Sequence, residues 1–257
     1  MSEKYIRFAP GDNKPPSYAR LYGDSVLELS AAPWLGGEST EKKYDLSQVQ
    51  LLAPVEPSKI VCIGLNYHAH VAASQSADKA PEYPLIFLKP PSSIIGPEGA
   101  IIHPHESERV DYEAELGVVI GKTARKVERQ KAVEHVFGYT CVNDVTARDL
   151  QKKDGQWSRA KGFDTFCPVG PHVITDIEHS DLLVEGILNG ETRQSGRTSL
   201  MIFDIPFLVS YISHIMTLVP GDLISTGTPA GIAPMKPGDV IEVRVENVGS
   251  LRNRMAM

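Results

Sequence analysis

Cysteine is scarce in this sequence, with three residues among 257, and none of the three begins a Cys-x-x-Cys pair. Cys62, Cys141 and Cys167 lie far apart along the chain. Neither a disulfide framework nor a cysteine-based metal site is therefore indicated. We expect reduced thiols and a cytoplasmic location.

Long hydrophobic stretches and basic runs are also missing. The most apolar run, residues 200–209, is interrupted by Asp204 and Pro206, and no apolar stretch follows a basic cluster at the start. This pattern predicts neither a membrane span nor a secretion signal. The net charge is −6 and no basic run exceeds two residues, which argues against nucleic acid and anionic membranes as partners.

Turn-forming residues are abundant, since 21 Gly and 19 Pro punctuate the chain. They predict many turns between short strands, and hence a β-rich α+β fold. The proline-containing stretch at residues 53–58 is the predicted boundary between two domains. We assign residues 1–57 to a small N-terminal β-rich domain, with a loop at residues 36–43, and residues 58–257 to a second, larger domain.

Within the larger part, the hydrophobic pattern predicts a few regular elements. The Asn189-Gly190 pair suits a type I′ turn and predicts a hairpin between residues 182–188 and 191–194. The other predicted strands are residues 59–64, 111–121, 139–142, 223–226 and 240–245, and the predicted helices are residues 130–137, 146–153 and 205–216.

The most informative stretch is residues 111–121, where Glu113 and Glu115 stand two apart in a strongly apolar sequence. Side chains alternate between the two faces of a strand, so both glutamates are expected on one face. Neighbouring negative charges are tolerated most readily where a cation neutralises them. The alternative is a solvated sheet face that carries no ligand.

Asp144 offers a third carboxylate, because it follows the apolar run at residues 139–142. Arg148 and Gln151 fall on the same face of the helix predicted there. Three hard oxygen donors without a converging His or Cys favour Mg²⁺ or Mn²⁺ over zinc or copper. The alternative interpretation makes Asp144 a simple helix N-cap.

These residues belong to a series of unusual phrases that resembles the fumarylacetoacetate hydrolase family. The phrases occur in the family's order between residues 58 and 254. In chain order they are Gly64-Leu-Asn-Tyr67 with His70, Phe87-Leu-Lys-Pro-Pro91, Asp111-Tyr-Glu-Ala-Glu-Leu116, Asn143-Asp-Val-Thr-Ala-Arg-Asp-Leu-Gln151, Lys161-Gly-Phe-Asp164 and Thr226-Gly-Thr-Pro-Ala-Gly231.

The resemblance implies a mixed β-sandwich-roll fold with a small N-terminal extension, and a homodimer. It also implies a Mg²⁺ or Mn²⁺ ion held by Glu113, Glu115 and Asp144. Members include acylpyruvate and fumarylpyruvate hydrolases, oxaloacetate decarboxylases, and isomerase/decarboxylases of aromatic-acid degradation. Their shared demand is that a 2-oxo acid chelates the metal, which stabilises the enolate that forms.

An anionic substrate requires local positive charge, and Lys161 and Arg148 are the candidates. The resemblance places Lys161 beside the metal as a catalytic residue and gives Gln151 a hydrogen bond to a substrate oxygen. It also makes Thr226 and Thr228 substrate-binding candidates, in a Gly-rich loop whose backbone N–H groups suit a carboxylate. Without the resemblance, a surface lysine, a surface glutamine and a plain turn are the alternatives.

The sequence departs from the family pattern after His70, the predicted catalytic base. Many hydrolytic and decarboxylating members carry a glutamate three residues after this histidine, and the pair activates water, but here the position is Ala73. General-base catalysis by His70 is therefore weakened or supplied differently. Asp78 or Glu82 is the candidate replacement, in a polar stretch at residues 74–84 that is either a lid or a plain surface loop.

Three functions stay open on this basis. The leading one is a hydrolase that cleaves a C–C bond in acylpyruvate- or fumarylpyruvate-type 2,4-dioxo acids. The second is a decarboxylase or enol–keto isomerase of 2-oxo dicarboxylates, which needs no attacking water and is favoured by the missing glutamate. The third is a non-catalytic protein that binds a metal and an oxo acid.

Overall fold

The computed structural model describes residues 2–11, 14–73 and 79–257. Strands dominate these residues and helices are short, so the chain has the β-rich α+β fold that its composition predicts. In the described ranges, no helix is both long enough and apolar enough to cross a membrane.

The elements are numbered in chain order. The strands are β1 (Lys4–Ala9), β2 (Ser17–Tyr22), β3 (Ser25–Leu29), β4 (Ser39–Asp45), β5 (Gln50–Leu52), β6 (Ile60–Gly64), β7 (Leu85–Lys89), β8 (Ile94–Ile95), β9 (Ala100–Ile102), β10 (Val110–Asp111), β11 (Ala114–Ile120), β12 (Val136–Asn143), β13 (Thr146–Ala147), β14 (Cys167–Ile174), β15 (Leu183–Leu188), β16 (Glu191–Arg197), β17 (Leu223–Ser225), β18 (Pro234–Met235), β19 (Val240–Val245) and β20 (Gly249–Ala256). The α-helices are α1 (His68–Ala73), α2 (Arg148–Asp154), α3 (Ser158–Lys161) and α4 (Ile205–Ile215).

The N-terminal strands form an antiparallel ladder in the spatial order β4, β3, β2, β1. Ile6, Phe8, Ala19 and Val26 form a small buried cluster on one face, because alternate side chains of a strand point to the same side. At the other end of the ladder, β1 pairs with β14, so the N-terminal strands continue the largest sheet of the molecule. The two-domain division remains a prediction.

The loop predicted at residues 36–43 is wrong over most of its length, because β4 begins at Ser39. Its side chains are polar and largely exposed, which gave no sign of a strand. β4 lies at the edge of the sheet, where a strand pairs on one side only and its charged side chains stay in water.

The centre of the largest sheet runs in the order β14, β12, β11, β17, β6, β7. Every residue of β11 is buried. Leu116, Val118 and Ile120 pack into one hydrophobic cluster, whereas Val119 packs into another. The strand is therefore covered on both faces, and any charged group on it needs partners inside the protein.

The strand predicted over residues 111–121 is broken in two. β10 ends at Asp111 and belongs to a small separate sheet with β13 and β18, while β11 begins at Ala114. Between them, the backbone N–H of Glu113 donates to the Asn143 side-chain oxygen at 3.0 Å instead of to a strand partner. This side-chain contact lets the chain leave one sheet and enter the next at the glutamate pair.

The third sheet has the order β16, β15, β19, β20, β9, and it contains the predicted hairpin. Leu188 pairs with Glu191 across the turn. Asn189 and Gly190 have φ values of 53° and 82°, the positive values that a type I′ turn requires. The Asn-Gly prediction is confirmed.

Two of the three predicted helices need correction. Residues 129–135 form a 3-10 helix, and α2 starts at Arg148 because Thr146 and Ala147 pair with β10. Helix α4 is close to its predicted range. It starts after Asp204, whose side chain accepts a hydrogen bond from Phe207 N at 2.9 Å and so caps the helix.

Candidate active site

Glu113, Glu115 and Asp144 converge where β11 and β12 meet. The Ala114–Asn143 pair of these antiparallel strands sets two glutamates beside the aspartate that follows β12. One carboxylate oxygen from each lies within 4.8 Å of the others, and no residue of this carboxylate triad is more than 4% exposed. The solvated-face interpretation is therefore wrong, and so is the N-cap interpretation, because Ala147 precedes α2.

Glu115 has neutral hydrogen-bond donors. Its Oε2 accepts from the Ser225 hydroxyl and, at 2.8 Å, from the backbone N–H of Gly227. Burial, followed by the nearby negative charges of Asp144 and Glu113, raises the pKa of Glu115 to about 8. Its ionised form is thus under-compensated by the protein, and a bound cation would supply the missing charge.

Glu113 and Asp144 instead contact buried ammonium groups. Lys161 Nζ lies 3.0 Å from Glu113 Oε2 and 2.5 Å from Asp144 Oδ2. Burial opposes the charge of Lys161, but the two carboxylates outweigh it and raise the pKa of this lysine. Burial alone would raise the pKa of Glu113, but the positive charges of Lys161 and Arg148 outweigh burial, and the pKa of Glu113 lies below its ordinary value.

Lys89 contacts the triad, and the sequence interpretation did not single it out. Its Nζ lies 2.7 Å from Asp144 Oδ1 and donates to the carbonyl oxygens of Val145 at 3.0 Å and Lys161 at 2.6 Å. The available signal was the Phe87-Leu-Lys-Pro-Pro91 phrase of the family resemblance, in which Lys89 follows two apolar residues. Its buried position shows that it holds Asp144 and the end of α3 together.

Arg148 connects the triad to α2. Its guanidinium donates to Asp111 at 2.9 Å, to Gln151 Oε1 at 2.6 Å, and to Glu113. Asp111 is fully buried and also accepts from Arg109 at 2.8 Å. Arg148 is therefore held in place from behind, while Gln151 and Arg148 both line the pocket above the triad.

His70 projects from α1 into the same pocket, which Glu113, Arg148 and Lys161 also line. Burial lowers its pKa, Glu113 opposes this, and the positive charges of Arg148 and Lys161 add to the lowering. His70 is therefore neutral at pH 7 and can accept a proton. Ala73 ends α1 as an exposed residue without a carboxylate.

Asp78 and Glu82 are the two acidic residues proposed as partners of His70. Asp78 lies outside the described residues. Glu82 is exposed and does not line the pocket around the triad. A substitute for the glutamate that is missing at Ala73 remains a prediction.

The Thr226–Gly231 loop does hold a carboxylate through a backbone N–H, but that carboxylate is Glu115. Thr226 donates to Leu116 O at 2.8 Å and does not line the pocket. Thr228 lines the pocket and donates to Ala114 O at 2.8 Å. Substrate binding by the two threonines stays a prediction.

The triad fits a divalent metal ion on the chemistry of its donors. Three buried carboxylates and the ammonium groups of Lys89 and Lys161 sum to −1 when all are ionised. A divalent ion changes this sum to +1, which suits an anionic ligand. Oxygen donors of this type are those that Mg²⁺ and Mn²⁺ prefer.

Comparison with known proteins shows which family has this fold. The sequence model described as fumarylacetoacetate (FAA) hydrolase C-terminal matches residues 59–256, and one described as Rv2993c-like, N-terminal, matches residues 3–54. The chain belongs to the fumarylacetoacetate hydrolase family. Its mixed sheets are the fold of that family, and the named relatives below are enzymes.

Three similar proteins have names that state a reaction. Oxaloacetate tautomerase YisK of Bacillus subtilis is 45% identical over 226 residues, or 82% of this chain and 75% of the relative. The crystal structure of 2-hydroxyhepta-2,4-diene-1,7-dioate isomerase from Mycobacterium marinum matches with a TM-score of 0.90 and 41% identity, and covers 99% of this chain and 98% of that one. Maleylpyruvate hydrolase from Sphingobium sp. SYK-6, in complex with manganese(II) and pyruvate, matches with a TM-score of 0.80 and 30% identity, over 98% of each chain.

Proposed function

We propose that this protein is a divalent-metal-dependent keto–enol tautomerase of a short 2-oxo dicarboxylate, with oxaloacetate as the first candidate. One observation carries the proposal: the buried imidazole of His70 lines the pocket beside Glu113 and Glu115, and Ala73 stands where a water-activating glutamate would be expected. Tautomerisation relocates one proton and needs no attacking water. A single histidine is sufficient for that task.

The charges around the pocket support a dianionic ligand. With a divalent ion bound to the triad, the buried groups sum to +1, and Arg148 lines the pocket beside them. Gln151 offers an amide to a substrate oxygen. Mg²⁺ or Mn²⁺ held by Glu113, Glu115 and Asp144 would stabilise negative charge on the enolate oxygens.

The protein's own groups move the proton. Neutral His70 accepts the proton from the carbon next to the 2-oxo group and returns it to the oxygen of the resulting enolate. The negative charge of Glu113 favours the protonated imidazole and so lowers the cost of the transfer. Lys161 stays protonated between its two carboxylates and keeps the site positive towards the anion.

The relatives support enol chemistry in this fold. YisK is named as an oxaloacetate tautomerase and the Mycobacterium marinum protein as an isomerase. Hydrolysis of an acylpyruvate-type acid is the second candidate, because the Sphingobium relative is a maleylpyruvate hydrolase complexed with manganese(II) and pyruvate. Decarboxylation also needs no attacking water and is the third candidate reaction. A protein that only binds the metal and the acid would catalyse neither tautomerisation, hydrolysis nor decarboxylation.

The test compares these reactions in one Mn²⁺-loaded preparation. The enol-to-keto conversion of oxaloacetate is followed by ultraviolet absorbance, pyruvate formation reports decarboxylation, and an acylpyruvate reports hydrolysis. We expect tautomerisation to be the fastest, and His70→Ala to slow it by roughly two to four orders of magnitude, the usual size of a general-base contribution. Decarboxylation should fall much less, since the metal carries most of that barrier reduction.

Exposed His68 supplies the matched control, because it lies on the same helix and outside the pocket. His68→Ala should keep the tautomerisation rate. Acylpyruvate hydrolysis that outpaces tautomerisation and is abolished in His70→Ala would instead establish the hydrolase. Metal and oxalate binding without turnover of any substrate would establish the binding protein.

A further inference from the structure

Trp157 lines the pocket but has no part in the proposed proton transfer. It directly precedes α3, and its carbonyl oxygen accepts a hydrogen bond from Lys161 N at 2.9 Å. Its indole packs edge-on against Phe87, with ring centroids 5.2 Å apart. Lys161 Nζ lies 4.9 Å from the Phe87 centroid and 6.0 Å from that of Trp157. One helical turn therefore fixes the indole relative to the ammonium group.

The indole also lies against the backbone at the end of β6. A Cβ atom added to Gly64 would be 2.6 Å from Cζ3 of Trp157 and 2.9 Å from Cη2. Such distances are far inside carbon–carbon contact, so the ring can take this place only because residue 64 is glycine. Gly64 and Trp157 are therefore in tight contact on the apolar side of the pocket.

Trp157 lines two cavities. One is the pocket beside the carboxylate triad, and the other is a cleft on the surface. The cleft is formed with Leu85, Phe87, Leu88 and the start of α3, and Leu85 and Leu88 are exposed there. Among the described residues, Trp157 is the one that both linings share.

We propose that Trp157 determines the length of the acid that the pocket accepts, an inference that rests on the proposed function. The polar side of the pocket carries Glu113 and Glu115 of the triad with His70 and Lys161, while the apolar side is formed by Ile63, Gly64, Leu65 and Trp157. The end of the substrate remote from the oxo-acid group contacts the indole. Removal of the indole would join the pocket to the cleft, so that the methylenes of a longer acid pass the apolar side and its far carboxylate reaches the solvent-exposed cleft.

The test is a binding measurement, so it does not depend on turnover. Titration calorimetry on the Mn²⁺-loaded protein compares oxalate with 2-oxohexanedioate, whose chain is longer than that of oxaloacetate. In Trp157→Ala we expect the ratio of the two Kd values to shift by roughly tenfold or more towards the longer acid, because each methylene in an apolar pocket changes affinity about 10- to 200-fold. Trp157→Phe should shift it less.

Leu88→Ala is the matched control, because Leu88 lines only the cleft. This variant enlarges the cleft without opening it to the pocket and should keep the ratio of the unaltered protein. An unchanged ratio in Trp157→Ala, or an equal loss of affinity for both acids, would overturn the proposal. If Trp157→Ala does not fold, Trp157→Phe decides the question by the presence or absence of a shift.

Fluorescence gives a second, direct readout, because the chain has two tryptophans and the other is Trp34. Trp34 packs against Tyr18 and Phe137 and does not line the pocket. In Trp34→Phe with Mg²⁺, oxaloacetate, which has an end remote from its oxo-acid group, should change the emission of Trp157. Unchanged emission on saturation would show that the indole does not border the ligand. Lack of tautomerisation, in contrast, would overturn the proposed function and leave this length selectivity standing.

Discussion

Glu115 and His70 line one pocket but are positioned in different ways. Glu115 lies in a strand buried on both faces, and its carboxylate is bonded by Ser225 and Gly227, more than a hundred residues along the chain. His70 lies on the six-residue helix α1, where only His70 and Val71 are buried. The carboxylate side of the pocket is thus fixed by several distant segments, whereas the His70 side can change locally, as Ala73 illustrates.

The largest effect should come from the fixed side. Glu115→Ala or Asp144→Ala removes a carboxylate from the triad, and we expect the single Mn²⁺ site per chain to be lost, together with all metal-dependent turnover. Equilibrium dialysis of the metal-free protein measures the stoichiometry. Exposed Glu191 serves as control, and Glu191→Ala should keep the site. Retention of tight Mn²⁺ binding in both triad variants would show that the ion binds elsewhere.

A second effect on the fixed side concerns pH. Without metal, the pKa of Glu115 is raised to about 8 in the folded protein, above its value in the unfolded chain. The folded state then holds the extra proton, so this contribution to stability is present at low pH and is lost as the pH rises towards about 8. The free energy of unfolding should fall by up to about 1.4 kcal/mol per pH unit.

Denaturant unfolding of the metal-free protein between about pH 6 and 8.5 measures this slope, a window set by the raised pKa of Glu115. Glu115→Gln should flatten it. Mn²⁺ should remove it as well, because a bound cation favours the ionised carboxylate. The same slope in the glutamine variant would mean that another group titrates.

On the variable side, Ala73→Glu restores the glutamate that hydrolytic relatives are expected to carry. A carboxylate near His70 would stabilise the imidazolium and help to activate water. We expect acylpyruvate hydrolysis to rise by roughly tenfold or more, while tautomerisation changes little. Ala73→Gln has a similar shape without the charge and should give no gain. A gain in both variants would contradict the charge argument.

The smallest effect is expected for Glu82, which is exposed and does not line the pocket. Glu82→Gln should change the tautomerisation rate less than about twofold, as for most surface substitutions. Steady-state rates on oxaloacetate are the measurement. A loss as large as that of His70→Ala would make Glu82 the missing partner and would restore the two-residue base.

The proximity of Glu113 and Glu115 could be predicted because it is local in sequence, although β11 begins only at Ala114 and Glu113 precedes it. Glu113 and Glu115 stand two apart, and the sequence shows this without knowledge of the fold. The role of Lys89 could not be predicted in this way, because it depends on carbonyl groups 56 and 72 residues further along the chain. The hydrogen bond from Gly227 N to Glu115 could not be predicted either, because the two residues are distant in sequence. From the sequence alone, the loop that contains Gly227 resembled a substrate-binding loop.

The fold was predictable to a similar degree. The Asn189-Gly190 turn and α4 carry their own signals, an obligatory positive φ pair and an apolar stripe behind an N-cap. β4 and the break before Ala114 carry none. The first is stabilised only by its neighbour in the sheet, and the second by the side chain of Asn143, which is distant in sequence.

The junction of β1 with β14 also bears on the order of synthesis. Lys4 and Tyr5 pair with Ile174 and Val173, so β1 covers one edge of a strand whose other edge pairs with β12. During synthesis the ribosome completes the N-terminal strands long before β14. Strand β1 is therefore available to pair with the edge of β14 as soon as β14 emerges. A chain shortened to begin after residue 57 would lose β1, and the bare edge would invite strand-to-strand association between copies and aggregation.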